Sequence, residues 1–138
     1  MSFGIEWVHS LGSFKTVYPR LYRLARAVQE QEGWYEGSRS FRNNNPGNLR
    51  SSRFTDHQEG GFAKFDDYFH GMYGLMWDLW CKCSSKTTTR LKPHSTIGEL
   101  AAVYAPKEDG NDPESYAQNV AVFLDIPIDT KLSYFVEG

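Results

Sequence analysis

The sequence predicts a mainly α-helical domain that carries a small β-hairpin, an α+β arrangement in which helices dominate. Apolar residues recur at helical spacing over two long segments, residues 19–32 and 67–83. Signals for the start of two further helices occur at Thr96 and Asp112. The 138 residues are 40% hydrophobic and 15% aromatic, which suffices for one core. We therefore predict a single domain over residues 1–138.

The first helix is predicted to begin at Pro19 and end at Glu32, after a weakly patterned lead-in over residues 1–17. With about 100° of rotation per residue, one face of this helix is apolar. The residues on that face are Leu21, Leu24, Ala25 and Val28. Glu30 points to the opposite, solvent side. Gly33 follows, and glycine at this position commonly ends a helix in the left-handed conformation.

Glu32 is unusual because it continues the apolar face of the helix. A carboxylate among apolar neighbours costs free energy unless it is paired, hydrogen-bonded or protonated. Trp34 and Tyr35 follow directly and flank it with aromatic bulk. Such surroundings raise the pKa of a carboxyl group toward the value that suits a general acid at neutral pH. Two structural alternatives compete with catalysis: a solvated helix end, or an ion pair with Arg42 or Arg50.

A polar, turn-rich segment follows over residues 37–48 and contains the sequence NNNPGN at residues 43–48. The Pro-Gly pair favours a turn, and asparagine tolerates the left-handed backbone conformations that such loops need. Short apolar segments at residues 49–50 and 61–65 are predicted to pair as a small hairpin.

A second long helix is predicted over residues 67–83, and its broad apolar face is typical of the central helix of a core. That face comprises Phe69, Met72, Leu75, Met76, Leu79 and Cys83. Methionine and aromatic residues in this pattern usually pack a core rather than bind a cofactor. A polar loop over residues 84–93 follows.

Two shorter helices complete the prediction. Thr96 and Glu99 form a capping-box pattern, which begins a helix that runs through Tyr104. A loop over residues 105–111 separates it from the last helix, which Asp112 caps ahead of a proline. The apolar face of that last helix contains Tyr116, Val120 and Phe123.

The net charge of −2 argues against a general nucleic-acid binder. The charge is nevertheless unevenly distributed. Residues 18–54 contain seven arginines and three glutamates, whereas residues 99–138 contain eight acids and two lysines. A basic region beside Glu32 suits an anionic polymer, and ordinary solvated surface is the alternative for each arginine.

No segment of the sequence is long and apolar enough to predict a membrane span. The first residues lack a basic start followed by an apolar run, so no secretory signal is predicted. If the target lies outside the cytoplasm, another component has to deliver the protein.

Other chemistries have little support in the sequence. Cys81 and Cys83 are one residue apart, so a disulfide between them would be strained, and we expect two inert thiols. No paired histidine spacing indicates zinc, and the scattered histidines are His9, His57, His70 and His94. Neither a G-x-S-x-G motif nor a phosphate-binding glycine loop is present. We predict no metal and no organic cofactor.

Several motifs resemble those of the lysozyme-like peptidoglycan-cleaving domains of phages and prophages. They are QEQEGW at residues 29–34, RNNNPGNLR at 42–50, FAKF at 62–65, TIGEL at 96–100, YAP at 104–106 and NDPESY at 111–116. The resemblance covers roughly residues 20–130. This group is related to the soluble lytic transglycosylases and goose-type lysozymes, which carry one essential glutamate at the end of a core helix. Glu32 occupies that position here.

The resemblance implies a lysozyme-like fold and cleavage of the β-1,4 bond between N-acetylmuramic acid and N-acetylglucosamine, with Glu32 as general acid and base. In the transglycosylases a serine usually follows the glutamate and a Gly-x-x-Gly-Leu-x-Gln loop comes next. Here Gly33 and the loop over residues 45–49 stand in those places, so lytic transglycosylase and muramidase both stay open. Tyr104 matches the tyrosine that lines the family's sugar site, and a core tyrosine is the alternative.

The two reactions differ in their need for a second carboxylate. Both require an acid that protonates the leaving oxygen. An inverting hydrolase also needs a base for water, and Glu36 is the first candidate, ahead of Asp56, Asp109 and Asp112. A transglycosylase needs none, because the 6-hydroxyl of the muramoyl group attacks internally. Because only one carboxylate stands out, anhydro-muramoyl products are slightly favoured.

Substrate contacts are predicted around the same glutamate. We expect hydrogen bonds to the sugar from Asn45, Asn48 and Tyr104, and a stacking face from Trp34 or Tyr35. The expected partners are peptidoglycan glycan strands and, through a phage origin, other virion or delivery proteins. Such a protein would be made in the host cytoplasm and act in the periplasm after release. Two alternatives stay open: an inactive lysozyme-like module that binds glycan or builds a virion, and a chitinase-like glycosidase.

Overall fold

The computed structural model describes residues 10–84 and 91–137 and confirms a mainly helical chain with one small antiparallel sheet. The described α-helices are α1 (Leu11–Val17), α2 (Pro19–Gln31), α3 (Arg39–Arg42), α4 (Tyr68–Cys83), α5 (Ile97–Tyr104) and α6 (Pro113–Leu124). Short 3-10 turns occur at Lys107–Asp109 and Leu132–Val136. Within these ranges, none of the helices has the length and apolar character needed to cross a membrane.

The expected lead-in is wrong for residues 11–17, because they form α1. Ser10 caps this helix by accepting a hydrogen bond from the backbone N–H of Ser13. Phe14 is fully buried and packs edge-on against the rings of Tyr18 and Tyr73. A helix of seven residues that buries one side chain leaves no periodic signal in the sequence. Residues 1–9 of the predicted lead-in lie outside the described residues.

The core lies mainly between α2, α4 and α6, and the predicted apolar faces supply it. All four predicted face residues of α2 are buried, as are five of the six on α4. Phe69 is the exception, with 65% of its surface exposed, because it lies in the first turn of α4 at the edge of the core. On α6, Tyr116 and Val120 are buried, but Phe123 is 46% exposed and does not join the core.

The ends of the helices follow the predicted capping chemistry. The capping box of Thr96 and Glu99 is present at the start of α5. The Asp112 side chain accepts from the N–H of Ser115 and so caps α6. In the predicted loop over residues 105–111, residues 107–109 form a 3-10 turn. The predicted loop over residues 84–93 is described only in part, since residues 85–90 lie outside the described residues.

The hairpin exists, but the predicted partner strand is wrong. Strand β1 (Gln58–Glu59) pairs with β2 (Phe62–Ala63), and Gly60 and Gly61 connect them with positive φ values of 62° and 83°. Two left-handed residues in a two-residue turn match the twist of a hairpin, which explains this register. The contact of Leu49 with β2 is a hydrogen bond that its carbonyl oxygen accepts from the N–H of Ala63 at 2.9 Å.

The asparagine-rich loop lies directly on α4. Asn44 and Asn48 adopt left-handed conformations, with φ values of 51° and 49°. The loop approaches so closely that a Cβ on Gly71 would lie 1.8 Å from the carbonyl oxygen of Asn44. Gly47 likewise lies against the side chain of Leu75. This close packing fixes the loop relative to the end of α2, where the candidate site lies.

Candidate active site

A cleft of about 420 Å³ lies beside the C-terminal end of α2. The asparagine loop, α3 and the hairpin line one part of it, and the second half of α4, the end of α5 and the following loop line the rest. The charged residues among its lining are Glu32, Arg39, Arg50, Asp78, Lys82 and Asp109. The cleft therefore brings together groups from seven parts of the described chain, counting the end of α2.

Glu32 caps the C-terminus of α2 and faces this cleft from a partly buried position. The hydroxyl of Tyr116 donates a hydrogen bond to Glu32 Oε2 at 2.8 Å. Burial raises the pKa of Glu32 from 4.5 to about 7, although hydrogen bonds from Tyr116 and Asn48 and the charge of Arg39 oppose this rise. A carboxyl group with this pKa is substantially protonated at neutral pH and can donate a proton.

The two arginines considered as structural partners of Glu32 are engaged elsewhere. Arg42 donates a hydrogen bond to the carbonyl oxygen of Gly37. The guanidinium of Arg50 lies over the ring of Phe62, 4.7 Å from its centroid. In the part of the chain that the structure describes, Glu32 forms no salt bridge.

The structure does not bring Glu36 to the cleft, because its side chain is exposed and lies outside the lining residues. Asp56 is also exposed and outside the lining, and Asp112 is used as the cap of α6. Of the aspartates proposed from the sequence, Asp109 lines the cleft. Sequence reasoning missed Asp78, which lines the cleft from α4. The available signal was that Asp78 lies directly before Leu79, a residue of the predicted apolar face of α4.

Asp78 is held by two partners. Lys82 Nζ donates to both of its carboxylate oxygens, each at 2.8 Å. The hydroxyl of Tyr104 donates to Asp78 Oδ2. Tyr104 lines the cleft and also packs against the core, and burial together with the nearby Asp78 raises its pKa. Both oxygens of Asp78 therefore already accept hydrogen bonds from groups of the protein.

The two asparagines expected to contact sugar occupy different environments. Asn45 is fully buried, and its Nδ2 donates to the carbonyl oxygens of Leu49 and Ala63 at 2.8 and 2.9 Å. Its Oδ1 accepts from the N–H of Leu49. Both polar atoms of the Asn45 side chain therefore hydrogen-bond to the backbone of the protein. Asn48 lines the cleft instead, where its side chain lowers the pKa of Glu32 and accepts from Arg39 Nε at 3.3 Å.

This difference predicts opposite outcomes for two substitutions. Asn48→Gly keeps the left-handed backbone and should leave the free energy of unfolding within about 0.5 kcal/mol of the parent, but it should slow cell-wall cleavage. Asn45→Ala should lower the free energy of unfolding by about 2 kcal/mol, because the N–H of Leu49 and the carbonyl oxygen of Ala63 both lose their hydrogen bond to this side chain. Urea unfolding and turbidity clearing measure the two effects. Parent-like cleavage by Asn48→Gly would remove Asn48 from the site.

The aromatic residues expected to stack on sugar lie away from the cleft. Trp34 packs against the rings of Phe41 and Tyr68, with centroid distances of 5.1 and 5.2 Å. Tyr35 is 66% exposed, and neither Trp34 nor Tyr35 is among the lining residues. Besides Tyr104, the aromatic ring that lines the cleft is that of Phe62, a residue that the sequence placed in the hairpin without a role.

Tyr116 is the other residue near the site that sequence reasoning left without a role. It appeared as part of the apolar face of α6, and its ring is indeed buried there. A buried tyrosine, however, usually needs a partner for its hydroxyl. A carboxylate on an apolar face needs a donor, and this complementarity was the available signal.

Thiol and metal chemistry find little support in the described residues. Cys83 is fully buried, and burial raises its pKa to about 12, which disfavours a reactive thiolate. Burial also raises the pKa of Cys81. No cluster of three or more potential metal ligands occurs in residues 10–84 and 91–137.

Comparisons with protein-family models, curated proteins and solved structures find no match for this chain. The cleft is lined in large part by the sequence motifs described above. Five of those motifs contribute residues to the cleft: the segments at 29–34, 42–50, 62–65, 104–106 and 111–116.

Proposed function

We propose that the protein has a lysozyme-like fold and cleaves the β-1,4 bond between N-acetylmuramic acid and N-acetylglucosamine in peptidoglycan. The observation that carries this proposal is Glu32, a partly buried carboxyl group that faces a cleft with a pKa of about 7. A cleft of about 420 Å³ is large enough to hold part of a saccharide. The sequence resemblance to phage and prophage enzymes supports the same activity.

In this mechanism Glu32 acts first as the acid. Its proton goes to the glycosidic oxygen, because an alkoxide is too basic to leave unprotonated. The hydroxyl of Tyr116 donates to Glu32 Oε2 and holds its carboxyl group in place, and the neighbouring Asn48 side chain lowers its pKa. After bond cleavage the Glu32 carboxylate accepts a proton from the incoming hydroxyl, which restores the acid.

The partners of Asp78 favour internal attack over hydrolysis. A separate base would have to take a proton from water, but both oxygens of Asp78 accept from Lys82, and one also accepts from Tyr104. Glu32 alone can serve a transglycosylase, in which the muramoyl 6-hydroxyl is the nucleophile. The product then carries a 1,6-anhydro ring.

We expect digestion of purified peptidoglycan to yield anhydro-muramoyl ends. Mass spectrometry distinguishes them from reducing ends, because an anhydro end is lighter by one water. Reducing ends alone would indicate hydrolysis and would direct attention to Asp109. Walls that bind the protein without releasing fragments would indicate an inactive glycan-binding module, and release from chitin oligomers at an equal rate would indicate a chitinase-like enzyme.

The proposed substrate lies outside the cytoplasm of a bacterial host. A protein of this kind would reach the periplasm after release through the membrane, or as part of a virion with other delivery proteins. The purified chain is added to intact bacterial cells and to permeabilised ones. Clearing of the permeabilised cells alone would show that such delivery is needed.

A further inference from the structure

Two arginines lie close to one aromatic ring inside the cleft. The guanidinium carbon of Arg39 is 3.7 Å from the ring centroid of Phe62, and that of Arg50 is 4.7 Å from the same centroid. All three residues line the cleft that contains Glu32. They come from α3, the asparagine loop and β2, so the fold assembles this group from three separate segments.

These two arginines place exposed positive charge in the lining of the cleft. Among the described residues, neither guanidinium forms a salt bridge. Arg39 donates only to the side-chain oxygen of Asn48, at 3.3 Å, and both arginine side chains are exposed. Two cations near one ring repel each other, although each gains from the face of the ring. An anion bound beside either guanidinium would weaken this repulsion and accept charge-assisted hydrogen bonds from it.

Lys82 also lines the cleft, but it differs from the two arginines because its charge is paired. Lys82 is buried and donates to both oxygens of Asp78. The arginine pair is therefore the part of the cleft that is available to an anionic ligand. Guanidinium groups suit carboxylates in particular, because their planar donors match the two oxygens.

We propose that Arg39, Phe62 and Arg50 form a subsite for a carboxylate of the peptide stem on the muramic acid. This inference rests on the proposed function. In peptidoglycan the lactyl carboxyl group of the sugar is consumed in an amide bond, so the glycan is neutral where a stem is attached. The carboxylates lie on the stem itself. The subsite thus contacts the stem rather than the sugar where a stem is attached.

The test measures binding rather than cleavage, in a Glu32→Gln background that leaves the walls intact. Binding to insoluble peptidoglycan is measured by sedimentation. Arg50→Gln should weaken binding by roughly tenfold, the loss of a charge-assisted hydrogen bond. Arg53→Gln is the matched control, because Arg53 lies over the ring of Trp77 at 4.7 Å but does not line the cleft. It removes the same charge and should bind like the background protein.

Walls whose carboxylates have been converted to neutral methylamides provide the second arm. On these walls the background protein and Arg50→Gln should bind equally, because the anion is absent. Equal binding of Arg50→Gln and Arg53→Gln to native walls would overturn the subsite. A persistent Arg50 effect on the neutral walls would also overturn it.

Cleavage by the parent chain, measured in parallel, separates this inference from the proposed function. Wall cleavage with no Arg50 effect on binding overturns the subsite and leaves the activity intact. A carboxylate-dependent Arg50 effect without any cleavage supports the subsite and overturns the proposed activity. The absence of both binding and cleavage overturns both.

Discussion

Glu32→Gln is expected to reduce cell-wall cleavage by several orders of magnitude while the protein still folds. Glutamine keeps the size of the side chain and can still accept the hydrogen bond from Tyr116, which is 2.8 Å long in the parent. It cannot donate a proton to the glycosidic oxygen, and proton donation is the step that the proposed mechanism assigns to this residue. The loss of turbidity of purified walls measures the rate.

Glu30→Gln is the internal control for this experiment. Glu30 belongs to the same helix, but its side chain is exposed and lies outside the cleft. Surface substitutions of this kind usually change the free energy of unfolding by less than about 0.5 kcal/mol, and activity should stay near that of the parent. Clearing of walls by Glu32→Gln at the parent rate would show that Glu32 is not the catalytic acid.

The free energies of unfolding of the same two variants, measured at two pH values, test whether the carboxyl group of Glu32 is buried. The pKa of Glu32 is raised from 4.5 to about 7 by burial. The folded protein therefore binds this proton more tightly than the unfolded chain, and stability is lost as the pH rises from 4.5 through 7. Relative to the parent, Glu32→Gln should gain about 3 kcal/mol at pH 8 and nothing at pH 4.

Urea unfolding at the two pH values measures this difference. Glu30→Gln should show no comparable dependence, because its side chain is exposed. A parent-like curve for Glu32→Gln at both pH values would mean that the carboxyl group is solvated in the folded protein, which was the simplest structural alternative for this residue.

The sequence predicted the parts of the fold that depend on local patterns. The apolar faces of α2 and α4, the cap of α6 and the capping box of α5 are each encoded within a few neighbouring residues. Gly33 ends the first helix with a φ of 75°, as its position predicted. Glu32 was found for the same reason, since its place on the apolar face of α2 is a matter of spacing within one helix.

Contacts between distant residues could not be predicted in this way. Tyr116 is 84 residues from Glu32, and nothing in either segment specifies that they meet. The sequence also gave Asn45 and Asn48 the same expected role, whereas the fold buries one and leaves the other in the cleft. Which asparagine faces inward depends on how the loop lies against α4, and that packing involves residues far along the chain.

Gly71→Ala is expected to destabilise the protein by about 3 kcal/mol or more, because it disturbs this packing. The added Cβ would lie 1.8 Å from the backbone oxygen of Asn44 and 2.9 Å from Cδ of Pro46. A backbone oxygen cannot rotate away as a side chain can, so the loop or α4 has to shift. Thermal unfolding measures the effect. Because the same loop presents Asn48 to Glu32, the fraction that still folds should also cleave walls more slowly.

Gly98→Ala separates this steric effect from the general effect of replacing a helical glycine. Gly98 lies in α5, and a Cβ there would meet only the Thr96 hydroxyl at 3.6 Å, an ordinary contact. This variant should be neutral or more stable by up to about 1 kcal/mol, since alanine favours a helix. Equal stability of the two variants would mean that the loop does not press on α4 at Gly71. The arrangement of Asn48 beside Glu32 would then need a different support.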